Sequence, residues 1–540
     1  MESLRLAGII RGMRFPVRHR ALCGLLALAL LPHPPTGAQA RSPAPVSAAL
    51  PGLGDGGEMS LSDERRLGDR IARSLYRDPA LLDDVPMHDY LQALWQPLLA
   101  SARAQGELSP ELADRFAWTL LLARDRSVNA FALPGGYFGV HLGLIATVST
   151  PSELASVLAH EISHVSQRHI ARLIERQDRQ APWVVGAIIL GALAASAARN
   201  ADIANAAIVG GQAAAAQSQL NFSRDMEREA DRVGMNILSG AGFEPQGFVS
   251  MFGKLQQAAR LNDDGAFPYL RSHPLTSERM ADMQARLPAA AGPAAGAQAP
   301  VSAYWHAQMA ARARVLADPG IDRLRALAQA GPQALGPQTD ASSNGSRYGA
   351  ALAALLLRDE ERALSMLQAL QAGLPADPQG RQAADALALE VLLAWPQTRL
   401  ADGRGLPELR QAGLNSPTRS MRLLAAQASL NADRATQALA VQQLRTWTAL
   451  HPQDAPAWQL LAQLHQARQE MAPAARAAAE ARLARLDLSG ALDRLLAAQR
   501  LARQGPQALD HIEQSILDAR VREVEALLRQ QDRDDALAGS

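Results

Sequence analysis

Cysteine is almost absent from this chain: Cys23 is the single one among 540 residues. It lies in the apolar run ALCGLLALALL at residues 21–31, after a basic segment and before the sequence AQA that ends at Ala40. This order of parts is typical of a secretory signal cleaved after Ala40, so we expect export to the periplasm. The mature protein would then have no thiols, which excludes disulfide bonds, a cysteine nucleophile and cysteine metal ligands.

The chain also lacks an excess of charge of one sign, since its formal net charge is +1. A protein without surplus basic residues releases few counterions from a phosphate backbone, so we expect no nucleic-acid partner. The apolar run at residues 21–31 is too short to cross a bilayer, and a permanent N-terminal anchor is the alternative to a cleaved signal.

The length of the chain exceeds what one hydrophobic core usually supports, so two or more domains are expected. Residues 41–58 are rich in Pro, Gly and Ala and predict a flexible leader. Residues 59–287 mix helical patterns with one hairpin, SVNAFAL-PGG-YFGVHLGL, and residues 288–302 have the composition of a linker. The predicted fold class of residues 59–287 is therefore mainly α with a small β-hairpin or sheet.

Residues 303–540 show apolar residues at helical spacing and no strand-like alternation. The segment WQLLAQLH, which begins at Trp458, matches the opening of a tetratricopeptide unit, and a weaker match begins at Tyr348. We predict tetratricopeptide-like helical repeats here, with an irregular helical bundle as the alternative. Either arrangement offers a binding surface.

The sequence TPSELASVLAHEISHVSQRH contains the clearest motif of the chain. It begins with Thr150 and Pro151, and Glu153 follows three residues after Thr150. This is a capping box with proline at the first helical position, so a helix begins here. On that helix His160 and His164 are one turn apart and project from the same face.

The pentapeptide HEISH, residues 160–164, combines those two histidines with Glu161. Two imidazoles on one helix face can bind the same zinc ion. A carboxylate beside them can take a proton from the water that attacks a peptide carbonyl. HEISH therefore indicates a zinc metalloprotease with Glu161 as the base, and a helix with two solvated or core histidines is the alternative.

A catalytic zinc site needs a third protein ligand. The metzincin pattern would require Gly at position 167 and His at position 170, whereas the chain has Gln167 and Ile170. On a continuous helix His169 would point away from the metal, and we expect it at the surface. The third ligand must therefore come from a second helix.

The segment FSRDMEREADRVGMNILSG can form that second helix, with Ser223 as its cap. The buried stripe that its periodicity predicts consists of Met226, Ala230, Val233 and Ile237. Glu227 and Asp231 lie one turn apart on this helix, while Glu229 points elsewhere and is expected in solvent. An ordinary charged helix face is the alternative for all three acidic residues.

HEISH followed by the E-x-x-x-D core of SRDMEREAD resembles the gluzincin family that includes the CAAX-prenyl proteases and the bacterial heat-shock protease HtpX. NAFALPGG before the first helix and SHP at residues 272–274 agree with this resemblance, which covers residues 59–287. It implies a metalloprotease with one Zn2+ and with Glu161 as the base. The zinc ligands that it implies are His160, His164 and Glu227. It also implies that Asp231 hydrogen-bonds the far ring nitrogen of a ligating histidine.

His273 precedes a proline, so its backbone is biased towards an extended conformation that could aim the imidazole at the cleft. One hypothesis makes it a donor to the oxyanion, with Arg279 as a helper. A second places it in the open zinc position, where it holds the resting enzyme inactive. A capping or packing role is the third.

The strand before the HEISH helix contains Asn129, Ala130 and Phe131. An exposed strand edge here could pair with an extended substrate and align the scissile bond over the zinc. A plain core hairpin is the alternative.

Residues 181–220 are apolar, and their first stretch has a borderline length for a membrane span. Alanine and glycine dominate this segment, and both of its flanks must return to one zinc. We therefore expect a helical hairpin that covers the site as a lid or touches a membrane surface. A membrane-embedded segment is the alternative.

The resemblance, the signal and the helical repeats together imply an exported endopeptidase for unfolded or misassembled outer-membrane proteins. In this prediction the repeats dock substrates or the outer-membrane β-barrel assembly machinery. Two alternatives remain: a chaperone-like adaptor with a vestigial protease fold, and a metalloprotease anchored in the membrane by residues 181–220.

Overall fold

A computed structural model describes residues 59–176, 224–260, 267–288, 299–330, 340–504 and 511–539, all of which belong to one compact unit. The predicted signal, the leader and the apolar segment at residues 181–220 lie outside the described residues, as do residues 289–298 of the predicted linker. Within the described residues, no helix is both long enough and apolar enough to cross a bilayer.

The first part of the chain is helical around a small sheet, which confirms the predicted fold class. Its elements are α1 (Leu61–Leu75), α2 (Val85–Ala104), α3 (Pro110–Arg115), β1 (Thr119–Ala123), β2 (Ala130–Leu133), β3 (Tyr137–His141), α4 (Leu142–Thr147), α5 (Pro151–Ser166), α6 (His169–Arg176), α7 (Arg224–Gly240), α8 (Gln246–Arg260), α9 (Tyr269–Ser272) and α10 (Ser277–Ala285).

The HEISH helix α5 begins where the sequence predicts. The Thr150 hydroxyl accepts a hydrogen bond from the backbone N–H of Glu153 at 3.2 Å. The Glu153 carboxylate accepts from the N–H of Ser149 at 2.6 Å, one residue earlier than a standard capping box. Nearly every side chain of α5 is buried, so this helix lies in the middle of the fold and holds its polar residues away from bulk water.

The sheet has the strand order β1-β3-β2. Strands β2 and β3 form the predicted antiparallel hairpin, closed by a 3-10 turn at Pro134–Gly136 in which Gly135 and Gly136 have φ angles of 72° and 81°. Such positive φ angles favour glycine. Strand β1 pairs parallel to β3 and was not predicted separately. Because β3 is central, β2 lies at an edge of the described sheet.

The second part consists of helices, as predicted. They are α11 (Ala303–Ala317), α12 (Ile321–Ala330), α13 (Ala341–Leu357), α14 (Glu360–Ala372), α15 (Pro378–Ala394), α16 (Leu406–Leu414), α17 (Arg419–Ala428), α18 (Arg434–Leu450), α19 (Ala455–Ala467), α20 (Met471–Leu483), α21 (Leu488–Gln504) and α22 (His511–Gly539).

Most of these helices pack against the next one in the chain. The two segments that match the tetratricopeptide pattern fall on such pairs, α13 with α14 and α19 with α20. Leu461 is buried and Trp458 is half-buried, as expected for the start of a helical pair. The tetratricopeptide assignment itself stays a prediction.

The helical part packs directly against the first part. A single apolar cluster contains Trp95 of α2, Leu158 of α5, Met309 of α11 and Leu387 of α15, all of them fully or almost fully buried. Helix α11 also carries His306, whose Nδ1 lies 2.6 Å from the Tyr90 hydroxyl of α2. Residues on both sides of the predicted linker therefore share one core.

A buried arginine, Arg312, joins four helices across this contact, α2, α11, α13 and α15. Arg312 of α11 donates to Asp84, the N-cap of α2, at 2.7 and 2.8 Å and to Glu390 of α15 at 2.7 and 2.8 Å. The Tyr348 hydroxyl accepts a further bond at 3.0 Å. Burial lowers the pKa of Arg312, but the two carboxylates outweigh burial and raise it well above its usual value.

Replacing Arg312 should destabilise the whole compact unit. The change Arg312→Met leaves two carboxylates without their partner, which costs about 3 to 5 kcal/mol when a buried pair is broken. Chemical denaturation measures the free energy of unfolding. The control is Arg325→Met, which removes an exposed arginine of α12 and should change stability by less than about 0.5 kcal/mol. Equal stability of the two variants would contradict this account of the contact.

Candidate metal centre

Helices α5 and α7 cross closely at the HEISH motif. Gly234 of α7 allows this approach, because a Cβ there would lie 3.2 Å from the backbone nitrogen of His160 and 3.0 Å from the Phe248 ring. Three of the four residues of the predicted stripe, Met226, Ala230 and Ile237, are buried, while Val233 is half-buried. The predicted cap Ser223 lies outside the described residues. This packing places the acidic face of α7 against the histidines.

The side chains of His160, His164 and Glu227 meet as the sequence predicts. The Nε2 atoms of the two histidines are 2.9 Å apart, and the Glu227 carboxylate lies 3.5 Å from His160 Nε2 and 3.4 Å from His164 Nε2. Zinc bonds of about 2.1 Å in a tetrahedron separate the ligand atoms by about 3.4 Å. The three groups therefore have the spacing of ligands to one metal ion.

His273 is the fourth member of this cluster. Its Nδ1 lies 3.0 Å from Glu227 Oε1 and 3.4 Å from His160 Nε2, so that ligand atoms of all four residues lie within 4.8 Å of one another. The ring stacks on Tyr269 with centroids 4.6 Å apart. His273 therefore lies close enough to the other three residues to bind the same metal ion.

Glu161 is buried beside the cluster, and neither of its carboxylate oxygens has a hydrogen-bond partner among the described residues. Its Oε1 lies 3.5 Å from His273 Nε2. A buried carboxylate without hydrogen bonds is costly, so its natural partners are groups that enter the site, such as water, a metal ion or a substrate. The donor set of two histidines and a carboxylate suits a divalent metal ion.

The ionisation states of the cluster also suit metal binding. Burial raises the pKa of Glu227, but His273, His160 and His164 outweigh burial and hold it well below its usual range. Burial lowers the pKa of His164 well below its usual value. Burial also lowers the pKa of His160, but Asp231 and Glu227 outweigh it and raise that pKa to about 9. An ionised carboxylate is ready to bind a metal, while His160 must lose its proton first.

Asp231 lies on the far side of His160, where the resemblance places it. Its Oδ1 is 3.0 Å from His160 Nδ1, the ring nitrogen that faces away from the cluster. Arg279 donates to both oxygens of Asp231, at 2.7 and 2.8 Å, and its Nη1 forms an ion pair with Glu227 Oε2 at 2.8 Å. Burial raises the pKa of Asp231, but Arg279 and His160 outweigh it and lower that pKa. Asp231, held by Arg279, therefore orients the imidazole of His160 through this contact.

Arg279 takes a different position from the one predicted for an oxyanion helper. Its guanidinium bonds the carboxylates of α7 and also the backbone oxygen of Pro274 at 2.8 Å. Because these acceptors occupy its donors, it braces the ligand helix. Sequence alone could not reveal this role, since 48 residues separate Arg279 from Asp231.

The prediction that His169 is a surface residue was wrong. His169 is fully buried, and its Nδ1 lies 2.9 Å from His164 Nδ1. Helix α5 ends at Ser166, and Arg168 has a φ of 54°, so the chain turns back and does not continue the helix. Glu229 was expected in solvent, but it accepts from His169 Nε2 at 3.1 Å and from Arg172 at 3.1 Å.

The residues proposed for substrate pairing lie on the edge strand. Ala130 and Phe131 belong to β2, and Asn129 precedes it and is buried. Strand β2 also packs against α5. The structure thus places an edge of the described sheet beside the HEISH helix, and its use by a substrate stays a prediction.

Residues 90–287 match the profile of peptidase family M48. Over these residues the chain is similar to that family. The resemblance to a metalloprotease family that HEISH indicated is therefore confirmed.

Several curated relatives match part of the chain. The beta-barrel assembly-enhancing protease of Escherichia coli K12 is 35% identical over 243 residues, which are 44% of this chain and 47% of that protein. The protein of the same name from Yersinia pestis is 33% identical over 265 residues, 48% of this chain and 52% of that protein. The mitochondrial metalloendopeptidase OMA1 of Schizosaccharomyces pombe is 32% identical over 173 residues, 32% of this chain and 48% of that protein. The chain spans about half the length of these relatives.

Two substitutions on α7 should weaken metal binding by different amounts. Glu227→Ala removes a carboxylate of the cluster, so stoichiometric zinc should be lost. Asp231→Asn keeps the cluster but weakens the bond to His160 Nδ1, which should reduce zinc affinity by about 10 to 100-fold. Titration of the metal-free protein with zinc against a chromophoric chelator measures both effects.

Asp225→Asn is the matched control, because Asp225 is an exposed acid in the first turn of the same helix. It should bind zinc like the wild type. Normal zinc affinity in Glu227→Ala would rule out the ligand assignment.

Proposed function

We propose that this protein is a zinc-dependent endopeptidase whose zinc ligands are His160, His164 and Glu227. The observation that carries the proposal is Glu161: a buried carboxylate with no hydrogen-bond partner among the described residues, set beside a cluster with the spacing of zinc ligands. The match to peptidase family M48 supports the same conclusion. One zinc ion per chain matches the one cluster of this kind found among the described residues.

The residues of the chain would divide the work of peptide hydrolysis. When bound, zinc polarises a carbonyl oxygen and lowers the pKa of a water molecule. The Glu161 carboxylate takes the proton of the attacking water and later delivers it to the nitrogen of the leaving peptide. Asp231 and Arg279 hold the ligand helix and the His160 ring in place. Strand β2 pairs with the extended substrate and aligns the scissile bond.

His273 keeps the resting site closed in this proposal. Its Nδ1 lies among the ligand atoms, so it takes the position that a water or substrate oxygen needs during turnover. A donor to the oxyanion would instead leave that position free. The contact with Glu161 at 3.5 Å adds a second obstruction, because it occupies the space in front of the base.

The biological setting is proposed from the relatives and the signal. Their printed name, beta-barrel assembly-enhancing protease, suggests that this chain also acts in the periplasm on misfolded or misassembled outer-membrane proteins. The helical part, packed against the protease domain, would dock those substrates or the β-barrel assembly machinery. A chaperone-like adaptor without proteolysis, and an enzyme anchored in the membrane by residues 181–220, are the competing functions.

The first test compares the wild type with Glu161→Gln in casein cleavage. Loss of the base should reduce the cleavage rate by about 100-fold or more. Zinc content should stay at one ion per chain, because Glu161 is not among the proposed ligands. Glu111→Gln, which changes an exposed glutamate of α3, should retain full activity. If Glu161→Gln cleaves casein as fast as the wild type, the proposed mechanism fails.

The second test concerns the closed state. His273→Ala should raise the rate of casein cleavage several-fold, because the fraction of molecules with an accessible site increases. Ser272→Ala changes the neighbouring residue of the same turn and should leave the rate unaltered. A large fall in turnover for His273→Ala would instead support the oxyanion donor, and an unchanged rate would exclude both roles.

A further inference from the structure

His169 occupies a buried position that the proposed mechanism does not use. It is the first residue of α6 and has no exposed surface. Its Nδ1 faces the Nδ1 of His164 at 2.9 Å, and its Nε2 faces the Glu229 carboxylate at 3.1 Å. The imidazole therefore links the far side of a proposed ligand to a carboxylate on α7.

The backbone conformation of the preceding residue, Arg168, brings His169 to this buried position. Arg168 adopts a left-handed conformation, with φ at 54°, which is unfavourable for a residue with a side chain. Its guanidinium is held by the buried Glu64 carboxylate of α1 at 3.2 Å and by the backbone oxygen of Met59. These long-range contacts offset the cost of the conformation and turn the chain back beneath His164.

The direction of the hydrogen bonds follows from metal binding alone. If His164 binds a metal through Nε2, the proton of its neutral ring must lie on Nδ1. The contact between the two Nδ1 atoms then requires His169 Nδ1 to accept that hydrogen bond. The proton of His169 consequently lies on Nε2, where Glu229 Oε2 accepts it. Each group thus has a defined donor or acceptor role.

We propose that His169, supported by Glu229, is a positioning residue that sets the tautomer and ring orientation of His164 for metal binding. The inference rests on the proposed zinc site. It gives His164 a counterpart to the bond between His160 and Asp231, so each proposed histidine ligand has its own partner on the far nitrogen. Partners of this kind typically change metal affinity by about 10 to 100-fold.

Two substitutions at position 169 separate the hydrogen bond from packing. In His169→Asn the side-chain oxygen can sit where Nδ1 was and still accept from His164. In His169→Gln the amide reaches the position of Nε2, so the bond to Glu229 can form while the acceptor for His164 is lost. Zinc titration of the metal-free proteins should show an affinity about 10 to 100-fold weaker for His169→Gln, and within about threefold of wild type for His169→Asn.

Glu229→Ala tests the outer end of the chain of bonds. Glu229 is partly exposed, so this change leaves the core packing intact even if variants at position 169 fold poorly. Zinc affinity should fall in the same direction and by less, about 2 to 10-fold, because His169 loses only its own support.

His465→Gln is the matched control, since His465 of α19 is also a buried histidine beside a glutamate, with its Nδ1 2.6 Å from Glu470 Oε2 in the helical part. It should bind zinc like the wild type even if its melting temperature falls. The inference is overturned if His169→Gln and Glu229→Ala both bind zinc like the wild type, or if His169→Asn is as weak as His169→Gln. A wild-type protein that binds no zinc would instead overturn the proposed function.

Discussion

The close crossing of α5 and α7 is the contact on which the rest of the site depends. Gly234 leaves room for the backbone of His160 to approach, and the carboxylate of Glu227 then lies between two imidazoles. The same crossing places Asp231 behind His160, because it lies one turn further along α7. A single helix contact thus positions a proposed ligand and the group that orients another ligand.

The buried charges of this site favour the binding of a cation. Glu161, Glu227 and Asp231 are all buried at this site, and Arg279 pairs with two of them. Burying an unpaired charge costs several kcal/mol, so a cluster with more carboxylates than cations is expensive unless a cation enters it. Metal binding would therefore stabilise the fold as well as the site. Arg279 offsets the negative charge on the side away from Glu161, and a bound metal would offset the rest.

The sequence predicted the parts of this site that depend on one helix at a time. A turn of helix relates His160 to His164 and Glu227 to Asp231, and caps and apolar stripes mark where those helices lie. The features that the sequence analysis misplaced or missed share a cause. His169 was misplaced because a continuous helix was assumed, whereas Arg168 breaks it with support from Glu64, more than 100 residues away in sequence. Arg279 and the parallel strand β1 likewise acquire their roles from partners that are distant in the chain, and no local pattern records such contacts.

The attachment of the helical part has a mechanical consequence for the site. His306 Nε2 lies 3.3 Å from the backbone oxygen of Val148, and Arg314 donates to the backbone oxygen of Ala146 at 3.0 Å. Val148 lies two residues before Thr150, the N-cap of α5, and Ala146 lies in α4, the helix before it. A helix rises about 1.5 Å per residue, so His160, the first proposed ligand, lies about 15 Å along α5 from Thr150. The helical part therefore fixes the N-terminal end of the HEISH helix α5. A displacement of the helical part would reach the proposed ligands through this one buried helix.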